Sequence, residues 1–245
     1  MKPAAIVQAR MGSTRLPGKV LADVAGRPLL ARTLERLRLA RSLGLVGVAT
    51  TVDPSDDPIA LFCAREGVPC HRGPVDDVLG RYVGAADAFG ADPVVRITGD
   101  CPFVCPAIVD LLVDRLAADG ADFATLDGPS VHEGIDPWAA AALRRFDRRY
   151  LPADEREHLA LLVRRHRADV RVALAPVPPL HRARAGLRLS VDEPADLALA
   201  RALWTELASR GRPFTTEDLL AVLDRRPELI DLNRHVPRRV PAGIQ

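Results

Sequence analysis

The sequence opens without a long apolar run. Met1-Lys2-Pro3 leads into residues 4–9, too short a stretch for a signal peptide and far too short to span a bilayer. A cytoplasmic protein with no membrane partner is expected. A cysteine framework is also missing: Cys63, Cys70, Cys101 and Cys105 match neither a paired zinc motif nor a secreted disulfide pattern, and read as small buried or near-site thiols. Nor does charge of one sign dominate. With 34 Lys and Arg against 32 Asp and Glu, the net charge of +2 gives no footprint for a nucleic acid, although local basic clusters can still hold phosphate. The excess of Arg over Lys reads as genomic composition. No repeat of a solenoid or propeller is visible, and neither the Walker pattern nor the Gly-rich dinucleotide fingerprint occurs.

What is present is an alternation. At 245 residues the chain suits one substantial α/β unit. Ala4-Ala5-Ile6-Val7 reads as a buried parallel strand, followed by a polar loop over 10–19. Pro28 begins a helix expected to run to about Gly44. Strands are expected at 45–49, 68–70, 94–98, 122–125, 170–174 and 187–191. Helices are expected at 56–66, 78–89, 106–118, 194–209 and 215–224. This βαβ rhythm predicts an α/β fold with a mostly parallel sheet covered by helices on both faces. Residues 127–186, rich in turn formers and then in charge, are expected to form a lid or interface insertion within a single 1–245 domain. The tail from Asn233 to Gln245 has the Pro and Arg content of a poorly ordered terminus.

The most informative segment is Gln8-Ala9-Arg10-Met11-Gly12-Ser13-Thr14-Arg15-Leu16-Pro17-Gly18-Lys19. It puts three cations and two hydroxyls on a Gly-containing loop directly after the first strand. Amides near Gly12 and Ser13 can approach phosphate oxygens, while Arg10, Arg15 and Lys19 neutralise a departing pyrophosphate. A solvated basic loop is the alternative. Asp100 and Asp192 each follow an apolar run, so each is expected at a strand's C-terminal edge, where open α/β sheets bind ligands. Together they can hold one Mg²⁺; singly, either could be a helix N-cap before Pro102, Pro106 or Pro194.

The loop resembles the signature of the cytidylyltransferases that make CMP-sugar acids, most closely the spore coat polysaccharide protein F branch. Three further segments resemble that branch: His71-Arg72-Gly73-Pro74-Val75-Asp76-Asp77-Val78-Leu79-Gly80-Arg81-Tyr82, Arg96-Ile97-Thr98-Gly99-Asp100-Cys101-Pro102, and Leu189-Ser190-Val191-Asp192-Glu193-Pro194-Ala195-Asp196-Leu197. Order and spacing agree over residues 4–225.

The resemblance implies a Rossmann-like fold of the nucleotide-diphospho-sugar transferase type. The implied activity is transfer of CMP from CTP to an acidic sugar-type acceptor, with Mg²⁺ as cofactor and a homodimer as the assembly. The implied nucleotide contacts are Ala9, Arg10, Gly12, Ser13, Arg15, Lys19, Arg81 at the base, and Thr98. Arg10, Arg15, Lys19 and Asp100 would act in catalysis, and Asp100 and Asp192 would hold the metal. Arg156-Glu157-His158 resembles an Arg-Glu-His segment of the family's substrate-facing region, so Arg156 and His158 are implied acceptor contacts; an exposed, ion-paired helix is the alternative. Gly134-Ile135-Asp136 resembles the start of a Gly-x-Asp-x-Glu stretch, which adds Asp136 to the acceptor site. Trp138 stands where the family has Glu, as an altered pocket wall or an interface residue. A sugar-phosphate or phosphonate nucleotidyltransferase, or a silent nucleotide-binding module, are the competing functions.

Overall fold

A computed structural model describes residues 2–132 and 134–237. Strand β1 (Ala4–Gln8) is followed by a minimal hairpin, β2 (Asp23–Val24) and β3 (Arg27–Pro28), and by α1 (Leu29–Leu37). The alternation then runs β4 (Leu45–Thr51), α2 (Asp57–Arg65), β5 (Cys70–Gly73), α3 (Val78–Phe89), β6 (Val94–Thr98), α4 (Pro106–Ala118) and β7 (Phe123–Leu126). Next come β8 (Asp136–Trp138), α5 (Ala140–Asp147), α6 (Ala153–Glu157), α7 (Ala160–Arg165), β9 (Val172–Ala175) and α8 (Pro179–Ala183). The described chain closes with α9 (Pro194–Ala208), α10 (Thr216–Arg225) and α11 (Glu228–Asp231).

Seven strands form one sheet in the order β5-β4-β1-β6-β8-β7-β9, in which β8 alone runs antiparallel to its neighbours. Alternation along β1 shows how the layers form. Ala5 and Val7 pack with Leu34, Ile59 and Ile108 of α1, α2 and α4 on one face, while Ala4 and Ile6 pack with Leu79, Tyr82 and Phe146 of α3 and α5 on the other. A third core joins α9 and α10 to the β2–β3 hairpin through Trp204, Leu219 and Val24. No helix among the described residues is long and apolar enough to cross a membrane.

Three expectations are corrected, and a fourth, the 127–186 insertion, is described by what its residues form. Helix α1 stops at Leu37 because Asp110 of α4 captures Ser42, accepting from its amide at 2.9 Å and its hydroxyl at 2.8 Å, which draws the chain off the helix axis. Residues 187–191 form no strand: Leu189 and Val191 are buried against α9, and the amide of Val191 bonds to the carbonyl of Asp100 at 2.9 Å instead of joining a ladder. Residues 127–186 contribute β8 and β9 to the main sheet, and Leu159, Leu161 and Leu162 are buried within their own chain. In the tail, Asn233 is buried and bonds to Asp196 at 2.8 Å, while residues 238–245 lie outside the described residues.

Trp138 is 1% exposed and packs on Phe123 with ring centroids 4.7 Å apart, so it is core and not a pocket wall or an exposed interface residue. Its indole N–H finds no partner, which blunts the loss on removing it. Trp138→Phe is expected to cost about 1–2 kcal/mol in unfolding free energy and to leave the KM for acceptor unchanged; a KM moved tenfold with stability intact would return this residue to the pocket.

Candidate active site

The loop after β1 is built on a buried carboxylate. Asp56, 2% exposed at the start of α2, accepts from the Met11 amide at 2.6 Å and from the Thr51 hydroxyl at the end of β4. The loop then turns on itself, with the amides of Ser13 and Gly18 both donating to the Met11 carbonyl at 2.9 and 3.0 Å. Of the two amides expected to face phosphate, that of Ser13 is therefore spent within the loop. Gly18 has φ of 71°, a backbone that favours glycine, and it turns the chain into Lys19. A methyl at Gly12 would meet nothing within 4 Å, so the loop stands open at that point.

A cavity of about 400 Å³ opens beside this loop at the C-terminal ends of β1 and β6. Its lining brings together most of the residues singled out above: Ala9, Arg10, Gly12, Ser13, Arg15 and Lys19 from the loop, Thr98 and Asp100 from the end of β6, Asp192 before α9, and His158 after α6. Gln8, Arg96 and Glu157 line it too. Gly99 makes the approach possible, since a methyl there would lie 3.1 Å from the Gln8 carbonyl.

Lys19 is the hub. Its ammonium is 2.7 Å from Asp100 Oδ2, 2.9 Å from Asp192 Oδ1 and 2.8 Å from the Val191 carbonyl, which uses all three of its N–H donors. Burial alone would lower the Lys19 pKa, but the two carboxylates outweigh it and raise the value. Burial would likewise raise that of Asp100, and the charge and hydrogen bond of Lys19 overcome this to lower it. Arg15 bonds to the same Asp192 oxygen at 2.9 Å, and Arg188 holds the other at 2.8 Å. The N-cap alternative fails for both carboxylates: Cys105 caps α4 and Glu193 caps α9, in a capping box with Asp196. Asp100 and Asp192 instead converge on the Lys19 ammonium, and Asp100 Oδ1 accepts from the Cys101 sulfur at 3.6 Å. Two hard-oxygen donors meeting at one point fit a divalent ion such as Mg²⁺. Burial beside Asp100 pushes the Cys101 thiol up, so it offers no thiolate nucleophile.

The acceptor-side residues divide. Asp136 pairs with Arg96 at 2.7 Å across the β6–β8 ladder, and Arg96 reaches the cavity while its buried Nε has no partner. Arg156 lies outside the lining: its guanidinium pairs with Asp147 at 2.6 Å and with Asp77, the N-cap of α3. Arg81 is 1% exposed, also outside the lining, and donates to the carbonyls of Pro74 and Val75 (2.9 Å for the latter), fixing the turn before α3. Arg156→Ala is expected to lower stability by about 1–2 kcal/mol, discounted for partial exposure of the pairs, and to leave acceptor KM within threefold. Differential scanning fluorimetry with steady-state kinetics decides, since unchanged melting with a weakened acceptor KM is the opposite outcome.

Asp56 and Gln8 were not legible from motif reasoning. Asp56 acts across 45 positions and looked like a helix start, whereas Gln8, whose buried Oε1 lacks a partner, passed as the last residue of a strand.

A cavity of about 400 Å³ at the carboxyl edge of a mostly parallel sheet, where a basic loop meets paired carboxylates, fits a nucleotidyltransferase. Residues 4–224 match the family described as Cytidylyltransferase. The chain is 32% identical over 231 residues to the spore coat polysaccharide biosynthesis protein SpsF of Bacillus subtilis, covering 91% of this chain and 94% of that one. The chain belongs to the cytidylyltransferase family. A cytidylyltransferase structure from Leptospira borgpetersenii superposes with a TM-score of 0.85 at 30% identity over 94% of this chain and 97% of the other. A CMP:2-keto-3-deoxy-manno-octonic acid synthetase solved with CTP shares the fold, with a TM-score of 0.67 at 22% identity over 84% of this chain and 99% of that one.

Proposed function

We propose that the protein transfers CMP from CTP to an acidic sugar-type acceptor and releases pyrophosphate, in a Mg²⁺-dependent reaction. The observation that carries this reading is the convergence of Lys19, Arg15, Asp100 and Asp192 in a cavity that Arg96 and His158 also line. Family membership supplies the cytidine, and the names of the relatives supply the sugar acid.

In this reading an acceptor oxygen attacks the α-phosphorus in line with the leaving pyrophosphate, forming one P–O bond as the other breaks. Arg10 and Arg15 meet the triphosphate from the loop. Lys19 is bound to both carboxylates in the ligand-free protein, so it reaches phosphate only by exchanging those partners. Asp100 and Asp192 would hold Mg²⁺, which when bound supplies charge stabilisation on the phosphoryl oxygens. Arg96, with an unused Nε, and His158 are placed to receive an acceptor carboxylate. With Cys101 held as a thiol, direct transfer needs no covalent enzyme intermediate.

The proposed reaction takes place in the cytoplasm, and the proposed assembly is a homodimer. Support for the dimer comes from apolar side chains left outside in 127–186, with Tyr150 fully exposed and Leu174 on edge strand β9 at 52%; light scattering tests it.

Pyrophosphate release from CTP, UTP, ATP and GTP, with Mg²⁺ and a panel of sugar acids, sugar phosphates and phosphonates, tests the whole. Release is expected only with CTP and a sugar acid, and EDTA is expected to abolish it. Equal turnover of UTP, or preference for a sugar phosphate, would sink the donor or acceptor assignment respectively.

A further inference from the structure

Away from the nucleotide cavity, three side chains from three separate elements converge in the interior. Cys105 caps α4, His132 lies in the β7–β8 connection and His181 lies in α8; the sulfur and one nitrogen of each ring all fall within 4.8 Å of one another. They are 3%, 7% and 5% exposed. The two rings stand edge to face at 72°, with centroids 5.2 Å apart, so their nitrogens can address a common point. The Thr216 hydroxyl joins the group, 2.9 Å from His132 Nε2 and 3.4 Å from the Cys105 sulfur.

One feature of the cluster is unresolved within the protein: His181 Nδ1 is buried without a hydrogen-bond partner. An orphaned buried polar atom is costly, and donation of a lone pair to a cation would satisfy it. One sulfur and two imidazoles form a borderline-soft donor set that suits Zn²⁺ and not Mg²⁺. The set is therefore chemically distinct from the all-oxygen pair at Asp100 and Asp192.

We propose that Cys105, His132 and His181 bind one Zn²⁺, with the Thr216 hydroxyl or a water in the fourth position. Tetrahedral zinc holds sulfur at about 2.3 Å and nitrogen at about 2.0–2.1 Å, which sets the donors roughly 3.4–3.7 Å apart. The cluster closes by about 1 Å to reach this, exchanging the hydrogen bonds of Thr216 for metal bonds. Proton balance is simple. Each imidazole ligates through the lone pair of a neutral ring nitrogen, and the buried, unpartnered Nδ1 of His181 is such a nitrogen. Only the Cys105 proton leaves, to solvent, as the Zn–S bond forms. Two charged groups face the cluster, Arg36 near Cys105 and Glu217 near His181.

The ion would be structural. It would tie the β7–β8 connection and α8 to the start of α4 and to α10. The β7–β8 connection continues through Gly134 and Ile135 into Asp136, so the pin would also steady the Asp136–Arg96 pair. The long sequence separations among Cys105, His132 and His181 explain why cysteine spacing gave no zinc signal.

The test uses the full chain, stripped of metal and kept in millimolar Mg²⁺ to occupy the carboxylate pair, then titrated with Co²⁺. One equivalent is expected to give visible d–d bands and a thiolate-to-cobalt charge-transfer band, all displaced by Zn²⁺. Zn²⁺ is expected to raise the melting temperature by at least about 5 °C. Cys105→Ser is expected to abolish the charge-transfer band, and His181→Ala to weaken binding at least about tenfold. Wild-type protein without a stoichiometric band, a result that depends on no variant folding, overturns the proposal. So does a band that survives in Cys105→Ser, which would assign it to Cys63, Cys70 or Cys101.

Discussion

Lys19→Ala is expected to fold but to lose turnover by two to three orders of magnitude, as removal of a preorganised charge-stabilising donor does elsewhere. The geometry adds a signature that a phosphate contact alone would not give. In the wild type the ammonium stands between Asp100 and Asp192 at 2.7 and 2.9 Å. Without it two partly buried carboxylates face each other, and stability is expected to fall by about 3 kcal/mol at pH 7. Mg²⁺ should then restore more melting temperature to the variant than it adds to the wild type, because in the variant the ammonium no longer competes for the two carboxylates and only Arg15 and Arg188 still hold Asp192.

The pH dependence has a definite sign. In the wild type the Asp100 carboxyl is held below its usual 3.8, so its contribution is full above about pH 4 and is lost as pH falls through the lower folded value. The Lys19 contribution is full below its usual 10.5 and is lost only as pH rises through the still higher folded value. Near neutrality the wild type is therefore flat with respect to this cluster. In Lys19→Ala the facing carboxylates push one pKa upward, and stability is expected to rise as pH falls from 7 towards 5. Thermal melts across that range check it; a variant as flat as the wild type would remove Lys19 from between the carboxylates.

Asp100→Asn is the second large effect, with turnover expected to fall by about three orders of magnitude. The amide oxygen can still accept from Lys19, so unfolding free energy should change by only about 1 kcal/mol. What is lost is the formal charge, and with it the hard donor that makes the pair with Asp192 fit a divalent ion. No neighbour replaces it, because the Cys101 thiol beside it is held protonated by burial. Activity within tenfold of wild type would remove Asp100 from the proposed chemistry, and Mg²⁺ titration of turnover would show whether the defect is in metal affinity or in the step itself.

The sequence was most legible where local signals coincided with burial. Helices over 78–89 and 106–118 and the strand over 94–98 match the structure at both ends. Asp77 caps the first helix and Gly90 ends it in the left-handed region, while Pro106 opens the second. Strand β8 hid behind Pro137, a residue that argues against a strand, and persists because its ladder is only three residues long. Residues 187–191 erred in the other direction, since their apolar pattern is satisfied by packing on α9 without a neighbouring strand. In the candidate site, each phosphate-loop residue found by motif lines the cavity. Arg81 and Arg156 lie outside the cavity lining in the ligand-free chain, because a guanidinium goes to whichever partners the fold offers, and here those are the carbonyls of Pro74 and Val75 and the carboxylates of Asp77 and Asp147.

The Asp196 carboxylate sits at the centre of a knot. It accepts from the amides of Asp192 and Glu193 at 2.9 and 3.0 Å, from Arg188 at 2.8 Å, and from Asn233 at 2.8 Å. The far end of the chain thus acts as a latch on the turn that presents Asp192. Shortening the protein to residue 232 would spare every catalytic side chain and still release that latch. Such a fragment would keep its sheet and hold the Mg²⁺ proposed for Asp100 and Asp192 more weakly, a trap for anyone trimming the tail to aid crystallisation.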